Sequence, residues 1–273
     1  MCRWLAYSGD PVFLDELLFK PEHSLIEQSR SSFSSTTPTN ADGYGVGWYG
    51  ERETPGLYRS IRPAWNDRNL LDLAEQIRSR LFLAHVRAAT GTPVQQTNCH
   101  PFRHGKWLFV HNGVIREFKK MKRDLVREVS SELYPCIEGT TDSEVMFFLA
   151  LTFGLEEDPV GAVARMAHVV ERVGGEHGVE HPLGMTLGIS DGDRVYAIRY
   201  ASDGQPRTLF HSKDMRALKE LNPTVEGLSD DARAVVSEPF GDLSEYWVEI
   251  RPSSSVIIDG GGLEIRDFKP MLS

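Results

Sequence analysis

Strand-like segments crowd both ends of this chain, and two helical segments lie back to back between them. That order suits two packed sheets flanked by helices, an α+β sandwich, better than alternating βαβ units. Residues 2–8, Cys-Arg-Trp-Leu-Ala-Tyr-Ser, contain neither Gly nor Pro and read as a short buried strand ending at a Gly9-Asp10-Pro11 turn. Residues 42–49 alternate small and large, a strand whose glycines admit another backbone or a ligand. Residues 81–86 and 106–111 are apolar enough to be buried strands, the first running into Arg87 and the second into Asn112-Gly113. A helix is expected over 67–80, and a loop over the Ser/Thr-rich residues 29–39. Thr141 with Glu144 forms a capping-box pattern that opens a helix over 141–153, and a second helix follows over 159–172. Beyond Gly184 come strands at 185–190, 194–200, 232–236, 246–250 and 256–258.

No repeat, linker or low-complexity block divides the 273 residues, so one domain over 1–273 is expected. With 30 basic against 39 acidic residues the net charge is −9, which gives no general attraction for nucleic acid or anionic lipid. Apolar runs such as 145–151 fall far short of the roughly 20 residues of a membrane span. The N-terminus has no apolar signal core, so a cytoplasmic location is expected. The cluster of Lys119, Lys120, Lys122 and Arg123 reads as a solvated helix face.

Three cysteines, at positions 2, 99 and 136, make an odd number without C-x-x-C spacing, which excludes a disulfide framework. His100, His104 and His111 show no i,i+4 pairing, and Cys99 and His100 point oppositely in an extended segment, so no metal and no cofactor is expected. What needs explaining is Cys2. Once Met1 is removed, its thiol and a free α-amine stand on one residue, and the amine, with a reference pKa of about 7.7 to 8.0, can serve as base for the thiol. The other reading is a structural cysteine that happens to lie second.

Further motifs follow in order: Asn40-Ala41-Asp42-Gly43-Tyr44-Gly45, His85-Val86-Arg87-Ala88-Ala89-Thr90, Asn98-Cys99-His100-Pro101-Phe102, His111-Asn112-Gly113 and Gly139-Thr140-Thr141-Asp142-Ser143-Glu144. With Met1-Cys2-Arg3 at their head, they resemble the class II glutamine amidotransferases, which are N-terminal nucleophile (Ntn) hydrolases. More narrowly, the chain resembles the stand-alone members, which include the YafJ-like proteins and the ergothioneine-pathway amidohydrolases; residues 235–240 resemble a segment of these members, and Arg62-Pro63-Ala64-Trp65 the ergothioneine-pathway ones.

The resemblance implies a four-layer αββα sandwich, with the catalytic motifs within 2–150 and the strands of 184–270 completing the sheets. It implies cleavage of the γ-amide of glutamine or a γ-glutamyl compound through a Cys2 thioester, with Asn112 and Gly113 as the oxyanion hole. Arg87 and Thr90 would hold the substrate α-carboxylate and Asp142 its α-ammonium. Each residue also has a plainer reading: a structural ion pair for Arg87, a turn for Asn112-Gly113, a helix-dipole acid for Asp142. Synthase members usually carry a histidine after the threonine, whereas Gly91 stands here. His85, His100 and His111 are expected to satisfy buried hydrogen bonds that shape the pocket. The partner is a small-molecule substrate, and either a separate ammonia-accepting synthase exists or the substrate is a γ-glutamyl amide that yields no ammonia. The rival reading is a non-catalytic amino-acid-binding or regulatory subunit that keeps the pocket.

Overall fold

A computed structural model describes residues 2–31, 39–89, 91–213, 228–241 and 246–271. The first half contains β1 (Arg3–Phe13), α1 (Asp15–Leu18), α2 (Leu25–Arg30), β2 (Tyr44–Trp48), β3 (Gly56–Ser60), α3 (Arg68–Ala74), β4 (Arg78–Val86), β5 (Phe102–His104), β6 (Trp107–Ile115) and α4 (Phe118–Arg127). There follow α5 (Asp142–Thr152), α6 (Pro159–Glu176), β7 (Leu183–Ser190), β8 (Arg194–Ala201), β9 (Phe210–Ser212), β10 (Arg233–Val236), β11 (Trp247–Glu249), β12 (Ser254–Asp259) and β13 (Gly262–Asp267). One sheet has the order β11-β9-β10-β1-β4-β2-β3 and the other β13-β12-β8-β7-β6-β5, and every adjacent pair is antiparallel.

The alternation of side chains along each strand explains the layers. On β1, Leu5 and Tyr7 pack outward with Leu14, Leu17, Leu25 and Leu70, whereas Trp4 and Ala6 face the other sheet. On β6, Trp107, Phe109 and Ile115 pack outward with Phe147, Val163 and Val170 of the long helices, whereas Leu108 and Val110 face β1. Three apolar layers between four sheets-and-helices layers result, the αββα sandwich expected.

The inward face of β7 is small: Gly184, Thr186, Gly188 and Ser190 alternate with the outward Leu183, Met185, Leu187 and Ile189. Trp4 occupies the room this leaves. A Cβ on Gly188 would lie 2.9 Å from Trp4 Cζ3. The indole Nε1 donates to Thr186 Oγ1 at 3.2 Å, and that hydroxyl donates to the Asn112 carbonyl at 3.1 Å. A hydrogen-bonded chain therefore crosses from one sheet to the other beside Cys2.

Several elements differ from expectation. Strand β1 does not stop at Gly9-Asp10-Pro11 but continues to Phe13 through an irregularity between Ser8 and Val12, because β4 is long enough to pair on both sides of it. The helix expected over 67–80 ends at Ala74, and Arg78 already belongs to β4. Thr141 caps α5 by accepting from Glu144 N, but Glu144 does not return the bond; its carboxylate accepts from Glu138 N and Gly139 N instead. Of the loop expected over 29–39, Ser29 and Arg30 end α2, and residues 32–38 lie outside the described residues. The basic cluster does lie on a helix, α4, whose buried residues are Met121 and Leu125. Among the described residues no helix is long and apolar enough to cross a membrane.

Thr186→Val keeps the shape and removes the hydroxyl, leaving the Trp4 N–H without its acceptor. The expected cost is about 1 to 3 kcal/mol, the range for stranding one buried polar group. It reads as a lower urea midpoint with an unchanged slope. A midpoint equal to wild type would show that the cross-sheet chain contributes nothing.

Candidate active site

Cys2 precedes β1 by one residue, so the alternation that turns Trp4 and Ala6 inward carries Cys2 to the same inter-sheet layer. Its sulfur lies against the peptide of Ala88: the thiol reaches the Ala88 carbonyl at 3.6 Å, and the Ala88 N–H reaches the sulfur at 3.5 Å. A thiol has an acceptor there and a thiolate a donor, so one peptide serves both protonation states. Cys2 is partly accessible, whereas Cys99 is buried and Cys136 exposed. Burial pushes the Cys99 thiol up, as expected of an inert structural cysteine.

Asn112 shares the inward face of β6 with Leu108 and Val110 and so faces the same inter-sheet layer as Cys2. The strand expected to end at His111 runs on to Ile115, so Asn112-Gly113 is not a turn. Gly113 pairs with Met185 in the ladder and has no positive φ. Its need for glycine is one of space, since a Cβ would lie 2.1 Å from the Gly184 carbonyl oxygen and 2.3 Å from His111 Nε2.

Arg87 follows β4, as expected, and is buried. Its guanidinium donates to the Asp42 carbonyl at 3.2 Å, to Thr92 Oγ1 at 2.6 Å and to the Pro93 carbonyl at 3.2 Å. The partners of this arginine are loop oxygens, so it organises the loop that also carries Ala88. Asp42 binds the same loop from the other side, its carboxylate accepting from Ala89 N at 2.7 Å. Thr90 lies outside the described residues. Asp142 opens α5, accepting from Ser143 N at 2.9 Å and, across the layer, from Ile115 N at 2.7 Å. That second bond fixes the helix start to the strand that carries Asn112.

Sequence reasoning missed four contributors. Arg207 donates a hydrogen bond to Asn112 Oδ1. Burial pushes its guanidinium down, an effect opposed by the charges of Cys2 and Asp142 and reinforced by Arg3. Arg3 forms an ion pair with Glu238 at 2.8 Å and also donates to the Cys2 carbonyl at 3.0 Å. His23 bonds the other oxygen of Glu238 at 2.7 Å. Asn98 bridges two loops, donating to the Pro93 carbonyl and accepting from Thr140 N. Arg3, Glu238 and Asn98 stand in segments that carry the resemblance, though the sequence alone assigns them no role; nothing around Arg207 or His23 marks them.

His85, His100 and His111 are all buried. His85 Nε2 bonds the His111 carbonyl at 3.2 Å and His111 Nδ1 bonds Ser143 Oγ at 2.8 Å. His100 departs from expectation: neither ring nitrogen finds a hydrogen-bond partner among the described residues, and the ring packs 4.2 Å from His85 and 4.5 Å from Phe102 between centroids. It acts as a flat filler. Burial pushes His85 down to about 3 and His111 down to about 4, and holds His100 well below the usual range. Among the described residues no cluster of three or more His, Cys, Asp or Glu could hold a metal ion.

The family of glutamine amidotransferases class-II matches residues 27–266. The probable glutamine amidotransferase DUG3 of Saccharomyces cerevisiae is 34% identical over 94% of this chain and 81% of its own. The gamma-glutamyl-hercynylcysteine sulfoxide hydrolase of Mycolicibacterium smegmatis is 34% identical over 59% of this chain and 66% of its own. Among solved structures, a glutamine aminotransferase class-II domain protein from Silicibacter pomeroyi superposes with a TM-score of 0.77 at 34% identity, covering 99% of this chain and 100% of that one. The glutamine phosphoribosylpyrophosphate amidotransferase of B. subtilis shares the fold at a TM-score of 0.67 and 16% identity, over 99% of this chain and 50% of that one.

The buried histidines predict a pH dependence. Their native pKa values lie below the unfolded value of about 6.5, so the unfolded chain binds protons first as pH falls. Stability present above pH ~6.5 is therefore lost on the way down to the native values. Each histidine contributes a slope of about 1.4 kcal/mol per pH unit within that window. His100→Phe should flatten the dependence of unfolding free energy on pH by about one such increment as pH falls below ~6.5. Parallel curves for variant and wild type would mean that His100 takes up a proton in the folded state.

Proposed function

This chain belongs to the class II glutamine amidotransferases, and from that membership we propose that it hydrolyses the γ-amide of glutamine or of a γ-glutamyl compound with Cys2 as nucleophile. The observation that carries the reading is the shared neighbourhood of Cys2 and Asn112. They face one inter-sheet layer, joined through Trp4 and Thr186, with the Ala88 peptide against the sulfur. The names of the relatives are those of amidotransferases and hydrolases, which does not favour the non-catalytic reading.

The reading requires removal of Met1. The freed Cys2 amine takes the thiol proton, and the thiolate adds to the γ-carbonyl carbon. As the C–S bond forms, the carbonyl electron pair moves onto oxygen, where Asn112 Nδ2 and the Gly113 N–H stabilise it. Collapse expels the amine, which leaves with the proton held by the Cys2 ammonium. Water, deprotonated by the same amine, then attacks the thioester; the C–S bond breaks, glutamate departs and the thiol is restored. Arg87 and Asp142 hold the α-carboxylate and α-ammonium, Thr90 assists Arg87, and His85, His100 and His111 form the buried wall behind them. The whole of 1–273 acts as one cytoplasmic domain on a small molecule. The relative that acts on a gamma-glutamyl compound supports a γ-glutamyl amide as substrate, with ammonia delivery to a separate synthase as the second possibility.

Mass spectrometry of the purified protein should find a chain beginning at Cys2, and a glutamine-like diazoketone should label that residue with saturable kinetics. Exposed Cys136 should react without saturation, and buried Cys99 not at all. Label concentrated on Cys99 or Cys136 would remove Cys2 as nucleophile. A screen of γ-glutamyl compounds, glutamine included, then identifies the leaving group.

Arg87→Lys replaces a planar fork by a point charge and Asp142→Asn removes the charge facing the ammonium, so both should raise KM strongly while the protein stays folded. If both retain wild-type kcat/KM on every compound that is turned over, Arg87 and Asp142 serve only the loop and helix that they bind in the structure.

A further inference from the structure

Arg207 lies between β8 and β9, in a stretch with no regular structure, yet its position is closely fixed. Buried Arg199 on β8 donates from Nε to the Arg207 carbonyl at 2.7 Å and from Nη2 to the Pro206 carbonyl at 3.4 Å. Its Nη1 meanwhile bonds Glu249 Oε1 at 2.8 Å and the Ile250 carbonyl. On the other side Thr208 Oγ1 donates to the Ser237 carbonyl at 3.1 Å, and Ser237 in turn exchanges hydrogen bonds with the Trp4 backbone. The stretch is thus tied both to β8 and to the strand that carries Cys2.

The guanidinium reaches Asn112 Oδ1. A guanidinium has five N–H donors and no acceptor, so the atom it touches on an amide must be the oxygen. That settles which way the Asn112 amide faces: with Oδ1 held by Arg207, the NH2 must point away from it, and among the described residues that NH2 has no acceptor. The bond also polarises the amide, drawing electron density toward oxygen and making the N–H a stronger donor. The ionisable groups that bear on Arg207 are Cys2 just before β1, Arg3 on β1 and Asp142 on α5, so its cation stands beside the proposed reacting centre.

We propose that Arg207 is a positioning residue of the oxyanion hole, holding the Asn112 amide by its oxygen so that Nδ2 is presented to the carbonyl oxygen under attack. The proposal rests on the reading of Asn112 as an oxyanion donor. It deepens that reading by naming what fixes the donor before substrate arrives. A freely rotating amide would present its oxygen to the developing oxyanion part of the time, repelling the charge it should stabilise.

The test is a double-mutant cycle on glutamate release from L-glutamine and p-nitroaniline release from γ-glutamyl p-nitroanilide, with melting temperature followed on each preparation. Asn112→Ala alone should lower kcat by about 10² to 10³ with little change in KM. Arg207→Met should lower kcat on the order of 10 to 10²-fold, also at nearly constant KM, as expected of a misaligned catalytic group. In the Asn112→Ala background Arg207→Met should cost almost nothing more, because nothing remains to be aligned. Arg207→Lys, which can still donate to Oδ1, should recover part of kcat. An unchanged kcat in Asn112→Ala overturns the oxyanion reading itself. If Asn112→Ala is impaired but Arg207→Met is not, Arg207 does not position it. An equal Arg207→Met loss in both backgrounds, or a loss confined to KM, assigns Arg207 to the substrate directly and overturns the proposal. A melting loss that Lys does not repair, with normal turnover per folded molecule, leaves Arg207 a structural cation only.

Discussion

The packing of Trp4 against the small inward face of β7 is the contact on which the centre of this protein depends. An indole can enter the inter-sheet layer only because Gly188 faces it, and once there it must find an acceptor for its N–H. Thr186 provides that acceptor and passes a hydrogen bond to the Asn112 backbone. One side chain thereby sets the spacing of the sheets and the relation of the residue two before it, Cys2, to the strand bearing Asn112. The ladder Trp4↔His85 adds β4 to the same unit.

The features legible in the sequence were those whose cause is local. Apolar runs with strand alternation gave β4, β6, β7 and β8 their approximate places, and the Thr141 cap marks the start of α5. Elements decided by pairing were not legible. Strands β3, β5 and β9 are three to five residues long and exist because a neighbour extends its hydrogen bonds to them. The continuation of β1 across Gly9-Asp10-Pro11 likewise follows from the length of β4, not from its own composition. A turn tripeptide is a weak obstacle when an existing strand edge lies alongside.

The same division runs through the site. Cys2, Arg87, Asn112 and Asp142 stand within ordered motifs; Cys2 and Asn112 face the inter-sheet layer, Arg87 binds loop oxygens beyond β4, and Asp142 ties the start of α5 to β6. Arg207, Arg3 and His23 act through partners 95, 235 and 215 residues distant in sequence, which no window reading can detect. At Gly113 the plainer reading, a turn, is the one that fails. Glycine stands there because the neighbouring strand and His111 leave no room for a Cβ, whereas the dipeptide suggested a turn.

Along the inter-sheet layer the chemistry changes from one end to the other. Ala6 of β1, Leu81 and Leu83 of β4, and Leu108 and Val110 of β6 form an apolar body. Beyond this body the same faces present His85 and Asn112, each two residues further along its strand, and Cys2, four residues before Ala6. Buried polar groups cost free energy unless they are bonded, and here most of the partners are backbone: the Ala88 peptide for Cys2, the His111 carbonyl for His85, and only for Asn112 a cationic side chain. Peptide partners are held by the sheets and cannot rotate away, so Cys2 and His85 are oriented by the fold itself. Asn112 is different because both ends of its amide are chemically distinct and the strand fixes neither. An amide in that situation needs a partner of one polarity only, and arginine, a donor with no acceptor, is such a partner.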